Sequence, residues 1–90
     1  MDKAPFDSAR RYELDPKVAL RPEPFGALAY HYGSRRLTFL RSKLLAEVVA
    51  DLGEYDSADA ALADRVPTTS RLAYERALAN LARSEFIRAC

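Results

Sequence analysis

Ninety residues, 49% of them hydrophobic and 30% charged, suffice for one small domain. A chain of this length withdraws roughly 60–65% of its unfolded surface from water, enough for one core and too little for a cofactor cavity enclosed between two domains. Fourteen Lys and Arg against thirteen Asp and Glu leave a formal charge of +1, far from the basic balance needed to neutralise many phosphates, so no nucleic-acid partner is expected.

Residues 1–16, MDKAPFDSARRYELDP, mix both charge signs with isolated Phe6, Tyr12 and Leu14 and sustain neither the helical nor the strand period; they read as a mobile N-terminal tail, with the domain proper at 17–90. Lys17 to Arg21 is a short strand candidate, stopped by Pro22-Glu23-Pro24, where proline removes backbone donors. Two further runs, Ala27 to Tyr32 and Arg35 to Leu40, flank Gly33-Ser34 and predict a β-hairpin closed by a two-residue II′ turn. That turn opposes Leu28 to Phe39, Tyr30 to Leu37 and Tyr32 to Arg35 on one face, which is expected to be the covered one. It opposes Ala29 to Thr38 and His31 to Arg36 on a polar, solvated face.

The remainder predicts helices. Ser42 caps Lys43 to Leu52, with Leu44, Leu45, Val48, Val49 and Leu52 at helical spacing and Gly53 placed as a terminating glycine. Ser57 opens a weaker turn or two, Ala58 to Arg65, ended by Pro67. Thr68 or Thr69 caps a last helix from Ser70 to about Arg83, whose apolar arc carries Tyr74, Ala77, Leu78 and Leu81. Phe86 and Ile87 are expected to tuck against the helices. The fold class is α+β, a winged-helix-turn-helix-like arrangement with a three-stranded antiparallel sheet followed by three helices.

The chemistry available is spare. One histidine and one cysteine, His31 and Cys90, cannot assemble a zinc site, and no metal or cofactor is expected. His31 on a polar hairpin face offers no nucleophile pair, and Gly26, Gly33 and Gly53 fall in three separate turns, so no phosphate cradle forms. Enzyme activity is not expected. With its lone cysteine last in the chain, no apolar run of about 20 residues and no signal-like apolar segment before Asp15, the protein is expected in the cytoplasm, away from membranes. Charge is nonetheless uneven. Residues 1–41 hold eight basic and five acidic side chains, residues 42–67 two and six, and residues 68–90 four and two.

Two uses of such a scaffold follow. A winged-helix DNA-binding regulator would read bases through the last helix, but that helix offers chiefly Arg76, Asn80 and Arg83 between alanines. The alternative is the sheet edge, where an open strand at Leu37 to Arg41 presents unpaired N–H and C=O groups that an extended peptide can complete.

The run VALRPEPFGALAYHYGSRRLTFLRSKLL, Val18 to Leu45, resembles the PqqD-like family of leader-peptide recognition domains, and within it the peptide chaperones of mycofactocin biosynthesis. The most specific stretch is Arg21 to Leu28, continued by Tyr30 to Tyr32 and Arg35 to Leu40, and the resemblance covers about residues 14–90. One departure lies near the end, where the broader family commonly has a glycine and this chain has Ser84-Glu85. The resemblance implies a non-catalytic domain that takes the leader of a ribosomally made precursor peptide as an added antiparallel strand and delivers it to a radical SAM maturase, which alone holds the iron–sulfur clusters and SAM. Carried onto this chain, the peptide-binding strand is Arg36, Leu37, Thr38, Phe39, Leu40 and Arg41. From the last helix Arg71, Tyr74, Glu75 and Leu78 are expected to contact the peptide, and Arg21 and Glu23 beside the prolines to contact the maturase.

Overall fold

The computed structural model describes residues 5–90. Strands β2 (Val18–Glu23), β3 (Gly26–His31) and β4 (Arg36–Leu40) form an antiparallel sheet in the order β2-β3-β4. Helices α1 (Lys43–Asp51), α2 (Ala58–Arg65) and α3 (Arg71–Arg83) follow, as expected for this α+β class. Among the described residues no helix is long and apolar enough to cross a membrane.

The prolines do not stop the first strand of this sheet. β2 runs through Pro22 to Glu23, paired with Gly26, and only Pro24-Phe25 form the turn. An edge strand tolerates proline where its nitrogen faces away from the neighbour. Gly26, at φ +150°, starts β3 directly behind that turn. A Cβ there would overlap the Leu40 carbonyl oxygen and lie 2.8 Å from the Ser42 nitrogen, so only glycine lets the turn sit against the end of β4.

The β3–β4 register is the expected one, with Leu28 opposite Phe39 and Tyr30 opposite Leu37. Its faces are reversed. Val18, Ala27, Ala29, His31 and Leu40 are buried, whereas Tyr32, Leu37 and Phe39 are exposed. The small Ala27 and Ala29 let α1 lie close against β3, and a face of larger side chains would hold the helix off. The hairpin loop differs as well. It spans the four residues Tyr32 to Arg35, with Arg35 N donating to His31 O at 2.7 Å and Arg35 at φ 61°, so Tyr32 and Arg35 do not pair. His31 is buried rather than solvated: its Nδ1 accepts from the Gly33 and Ser34 nitrogens at 3.0 and 3.1 Å, and its ring meets Phe86 edge-on. The imidazole is thus a loop-closing group.

The tail reading fails for the residues nearest the domain. Tyr12–Leu14 form β1, antiparallel to β5 (Ile87–Ala89), and Tyr12 is a core residue. Glu13 and Arg88, opposed in that register, form an ion pair at 2.7 Å. The carbonyls of Arg10 and Ser8 accept from the Ala58 and Asp59 nitrogens, satisfying the first amides of α2. Three residues are too few to display a strand period, which is why the pairing escapes the sequence pattern. Residues 1–4 lie outside the described residues.

The helix caps follow the sequence at two of three sites. Ser42 Oγ accepts from Leu45 N at 3.1 Å and Ser57 Oγ from Ala60 N at 3.0 Å. α3 instead begins after a 3-10 turn at Thr68–Ser70 with no side-chain cap, and Gly53 lies inside a second such turn, Leu52–Glu54. Arg65 ties α2 to α1 through Asp51 at 2.8 Å and also donates to the Tyr55 hydroxyl. That hydroxyl donates to Asp64, which holds the phenol above its usual range. The core between sheet and helices is built from Val48, Val49, Leu52, Leu62, Leu78 and Ile87, all nearly or wholly inaccessible.

α3 ends in a Schellman motif. Glu85 N donates to Ala82 O and Phe86 N to Leu81 O, with Glu85 in the left-handed region at φ 69°. Here a glycine would relieve strain that an L side chain carries. Glu85→Gly is therefore expected to raise stability by about 0.5–1 kcal/mol after the entropy of a freer unfolded chain is subtracted, a rise in Tm of about 3–6 °C. Thermal unfolding beside Glu85→Ala checks this. Equal midpoints for the two variants would show that backbone strain is not the reason.

Candidate functional site

Among the described residues, β4 has a sheet neighbour on one side only. Two backbone bonds fix the direction of its unpaired groups. Tyr32 N donates to Lys17 O at 2.8 Å, across toward β2, while His31 O accepts from Arg35 N on the β4 side. Backbone groups alternate sides along a strand, so Ala27, Ala29 and His31 exchange bonds with Leu40, Thr38 and Arg36. Leu37 and Phe39 are left with N–H and C=O directed away from the sheet, and their exposed side chains stand on its outer face. The same alternation turns the Pro22 nitrogen outward on the opposite edge, in agreement with its place in β2.

Beside the β4 edge lies a cleft of about 190 Å³. Thr38, Phe39 and Leu40 line it from the strand, Leu45 from α1, and Ala77, Asn80 and Leu81 from α3, with Ser84 at the C-cap of that helix. The α3 residues form one stripe at spacings of three and four. Alanine and serine keep the stripe shallow, leaving room for side chains of an added strand. Asn80 Oδ1 accepts from Arg83 at 2.7 Å, which places a guanidinium by the cleft. Open main chain, a shallow apolar floor and a nearby cation suit an extended peptide with some acidic character.

The expected strand residues are brought together, in three different environments. Leu40 is core, Thr38 is half-buried, and Arg36, Leu37, Phe39 and Arg41 are exposed, with Arg41 over the Phe39 ring at 5.9 Å. The expected helix residues are not those lining the cleft. Leu78 is wholly buried in the core. Tyr74 Oη is hydrogen-bonded at 2.7 Å to Ser42 Oγ, just past the end of β4, and is absent from the cleft lining. Arg71 and Glu75 are half-buried and absent from the cleft lining; Arg71 Nε is buried without a partner among the described residues. Sequence reasoning set Ala77 and Leu81 in the apolar arc, weighed Asn80 only as a base-reading group and passed over Ser84, because none of these residues carries a peptide-binding signal by itself. The i, i+3, i+4, i+7 stripe that they form was the signal available.

A larger hollow of about 550 Å³ lies on the far side of the sheet, between the β2 edge and α1, floored by Leu20, Pro22, Ala27, Ala46 and Ala50. Its strand edge is interrupted by proline, so it lacks the run of free donors found at β4. Arg21 and Glu23 are paired to each other at 2.7 Å; Arg21 lies on the outer face of the sheet opposite Leu28, whereas Glu23 is among the residues lining this hollow.

The chain matches the model of the Peptide chaperone MftB family over residues 11–88, a span that begins just before β1. It is 50% identical over 54 residues to peptide chaperone MftB of Mycobacterium tuberculosis, covering 60% of this chain and about half the length of that relative. To the peptide chaperones MftB of Mycobacterium ulcerans and Mycolicibacterium smegmatis it is 41% identical over 83 residues, covering 91% of this chain and 76% and 81% of theirs. No solved structure matches the chain.

Proposed function

Because the chain belongs to the Peptide chaperone MftB family, we propose that it is a non-catalytic, cytoplasmic peptide chaperone of mycofactocin biosynthesis. It captures the leader of a ribosomally made precursor peptide as an antiparallel strand on β4 and presents it to a radical SAM maturase. The observation that carries this reading is the free β4 edge, with the Leu37 and Phe39 main chain open beside a cleft against α3. An extended peptide completes those bonds and places alternate side chains in the cleft, so affinity comes from the main chain and selectivity from the α3 stripe. Iron, sulfur and SAM belong to the maturase, and the cleft's residues are needed only to hold the peptide extended.

Titration with synthetic leader peptide is expected to give a Kd of about micromolar order or tighter, near 8 kcal/mol. Arg36→Ala should mainly lower the association rate and its salt dependence, with dissociation little changed, because Arg36 stands exposed at the end of the edge. Absence of binding at millimolar leader, or a mobility shift with duplex DNA at physiological salt in its place, contradicts the proposal.

A further inference from the structure

We infer that the outer face of the three-stranded sheet is a second docking surface, for a protein whose apolar patch is rimmed by carboxylates. On the reading above, on which this inference rests, that protein is the maturase. The face carries Phe25, Leu28, Tyr30, Tyr32, Leu37 and Phe39, and the exposed fractions of Phe25, Tyr32, Leu37 and Phe39 are 44%, 60%, 58% and 56%. They form one patch: Leu28 opposes Phe39, Tyr30 opposes Leu37, and ring centroids lie 5.8 Å apart for Phe25 and Phe39 and 5.3 Å for Tyr30 and Tyr32. A contiguous apolar face of this kind on a small domain marks an interaction site.

The charges around the patch select the partner. Arg21 is matched by Glu23, whereas neither Arg35 nor Arg41 forms an ion pair among the described residues. The rim is thus cationic in excess. A two-fold pairing of this face with itself would set one cationic rim against another, so an acidic-rimmed protein fits better than a second copy of this chain. Single-stranded nucleic acid fits poorly. The rings are engaged edge to face, and Arg41 already lies over Phe39, where a base would stack.

The two surfaces meet at β4. Leu37 and Phe39 turn their main chain to the edge and their side chains to the face, so a strand added at the edge extends the face with its own alternate side chains. A maturase docked there contacts chaperone and leader as one surface. It follows that leader and maturase bind with positive coupling.

The test uses Phe25→Ser with Tyr32→Ser, two exposed positions outside β4. The double variant is expected to keep its melting temperature within a few degrees and its leader affinity within about twofold, while its Kd for purified radical SAM maturase rises at least tenfold. Arg35→Glu, which keeps the loop backbone and reverses a rim charge, is expected to weaken the maturase about fivefold, and more so at low salt. Unchanged maturase affinity in both variants, with leader binding intact, overturns the docking face and leaves strand addition standing. A wild-type dimer in sedimentation equilibrium that the double variant abolishes also overturns it, by assigning the face to a second copy. Failure of wild-type chain to bind leader at all strikes the strand-addition reading, and with it the coupled surface.

Discussion

Phe39→Pro is expected to leave the domain folded and to weaken leader binding ten- to a hundredfold. The Phe39 nitrogen faces away from β3, so proline there breaks no bond within the sheet, just as Pro22 breaks none on the opposite edge. What it removes is one of the two outward amides to which an added strand would bond. A lost charge-free hydrogen bond that leaves its partner unmet costs about 1–3 kcal/mol, and each 1.4 kcal/mol is tenfold in affinity. Phe39→Ala separates the main chain from the ring, since it keeps the N–H and loses the aromatic contact with Phe25. Calorimetric titration of both variants with leader, beside their melting curves, should rank proline well below alanine. Equal affinities would mean that the Phe39 amide is not part of the binding site. Thr38→Pro supplies the contrast: that nitrogen bonds toward Ala29, and its loss should unfold the hairpin.

Gly26→Ala is expected to cost about 3 kcal/mol or more, lowering Tm by at least about 12 °C. The new methyl meets the Leu40 carbonyl oxygen and the Ser42 backbone, and none of these is the movable end of a side chain. Relief requires the Pro24-Phe25 turn to move away from the end of β4, which would disturb the β3–β4 register and the Ser42 cap of α1 together. The backbone angle adds its own penalty, because φ near +150° is a glycine conformation. Thermal unfolding reads the loss directly. A midpoint within a few degrees of wild type would show that the turn is not seated against β4 as described.

Much of this architecture is legible in the residues. The β3–β4 register, the two serine caps and the α2 bounds follow from alternation, capping chemistry and Pro67. What alternation leaves undecided is which face of a two-sided strand meets the helices. Bulk suggested Tyr30 and Phe39, but closeness of approach decides, and Ala27 and Ala29 on β3 admit α1 where aromatic rings would not. His31 changed sides for the same reason, and its imidazole is accommodated because Nδ1 meets two loop amides. β1 was illegible because its partner β5 lies at the other end of the chain and neither strand exceeds three residues. At the candidate site, the edge strand was evident from its place as the second strand of the hairpin. The α3 stripe was not, since Ala77, Asn80 and Ser84 gain meaning only once the cleft beside β4 is seen.

The reversed face also changes how the chain's small net charge is understood. The sheet's basic side chains border an exposed aromatic surface on one side and the open β4 edge on the other. An exposed edge next to an exposed apolar face is a hazard for self-association unless partners cover both, and the arginines at its rim oppose pairing with an identical copy.

Hydrogen exchange at two amides tests the central claim most directly. In the free chain the Leu37 and Phe39 N–H groups face outward without a partner among the described residues, so both should exchange fast, whereas those of Thr38 and Leu40 should be protected by β3. Saturating leader peptide is predicted to slow Leu37 and Phe39 by at least about tenfold, leaving Thr38 and Leu40 nearly unchanged. A leader that binds at full saturation while Leu37 and Phe39 continue to exchange as fast as in the free chain contradicts strand addition at β4.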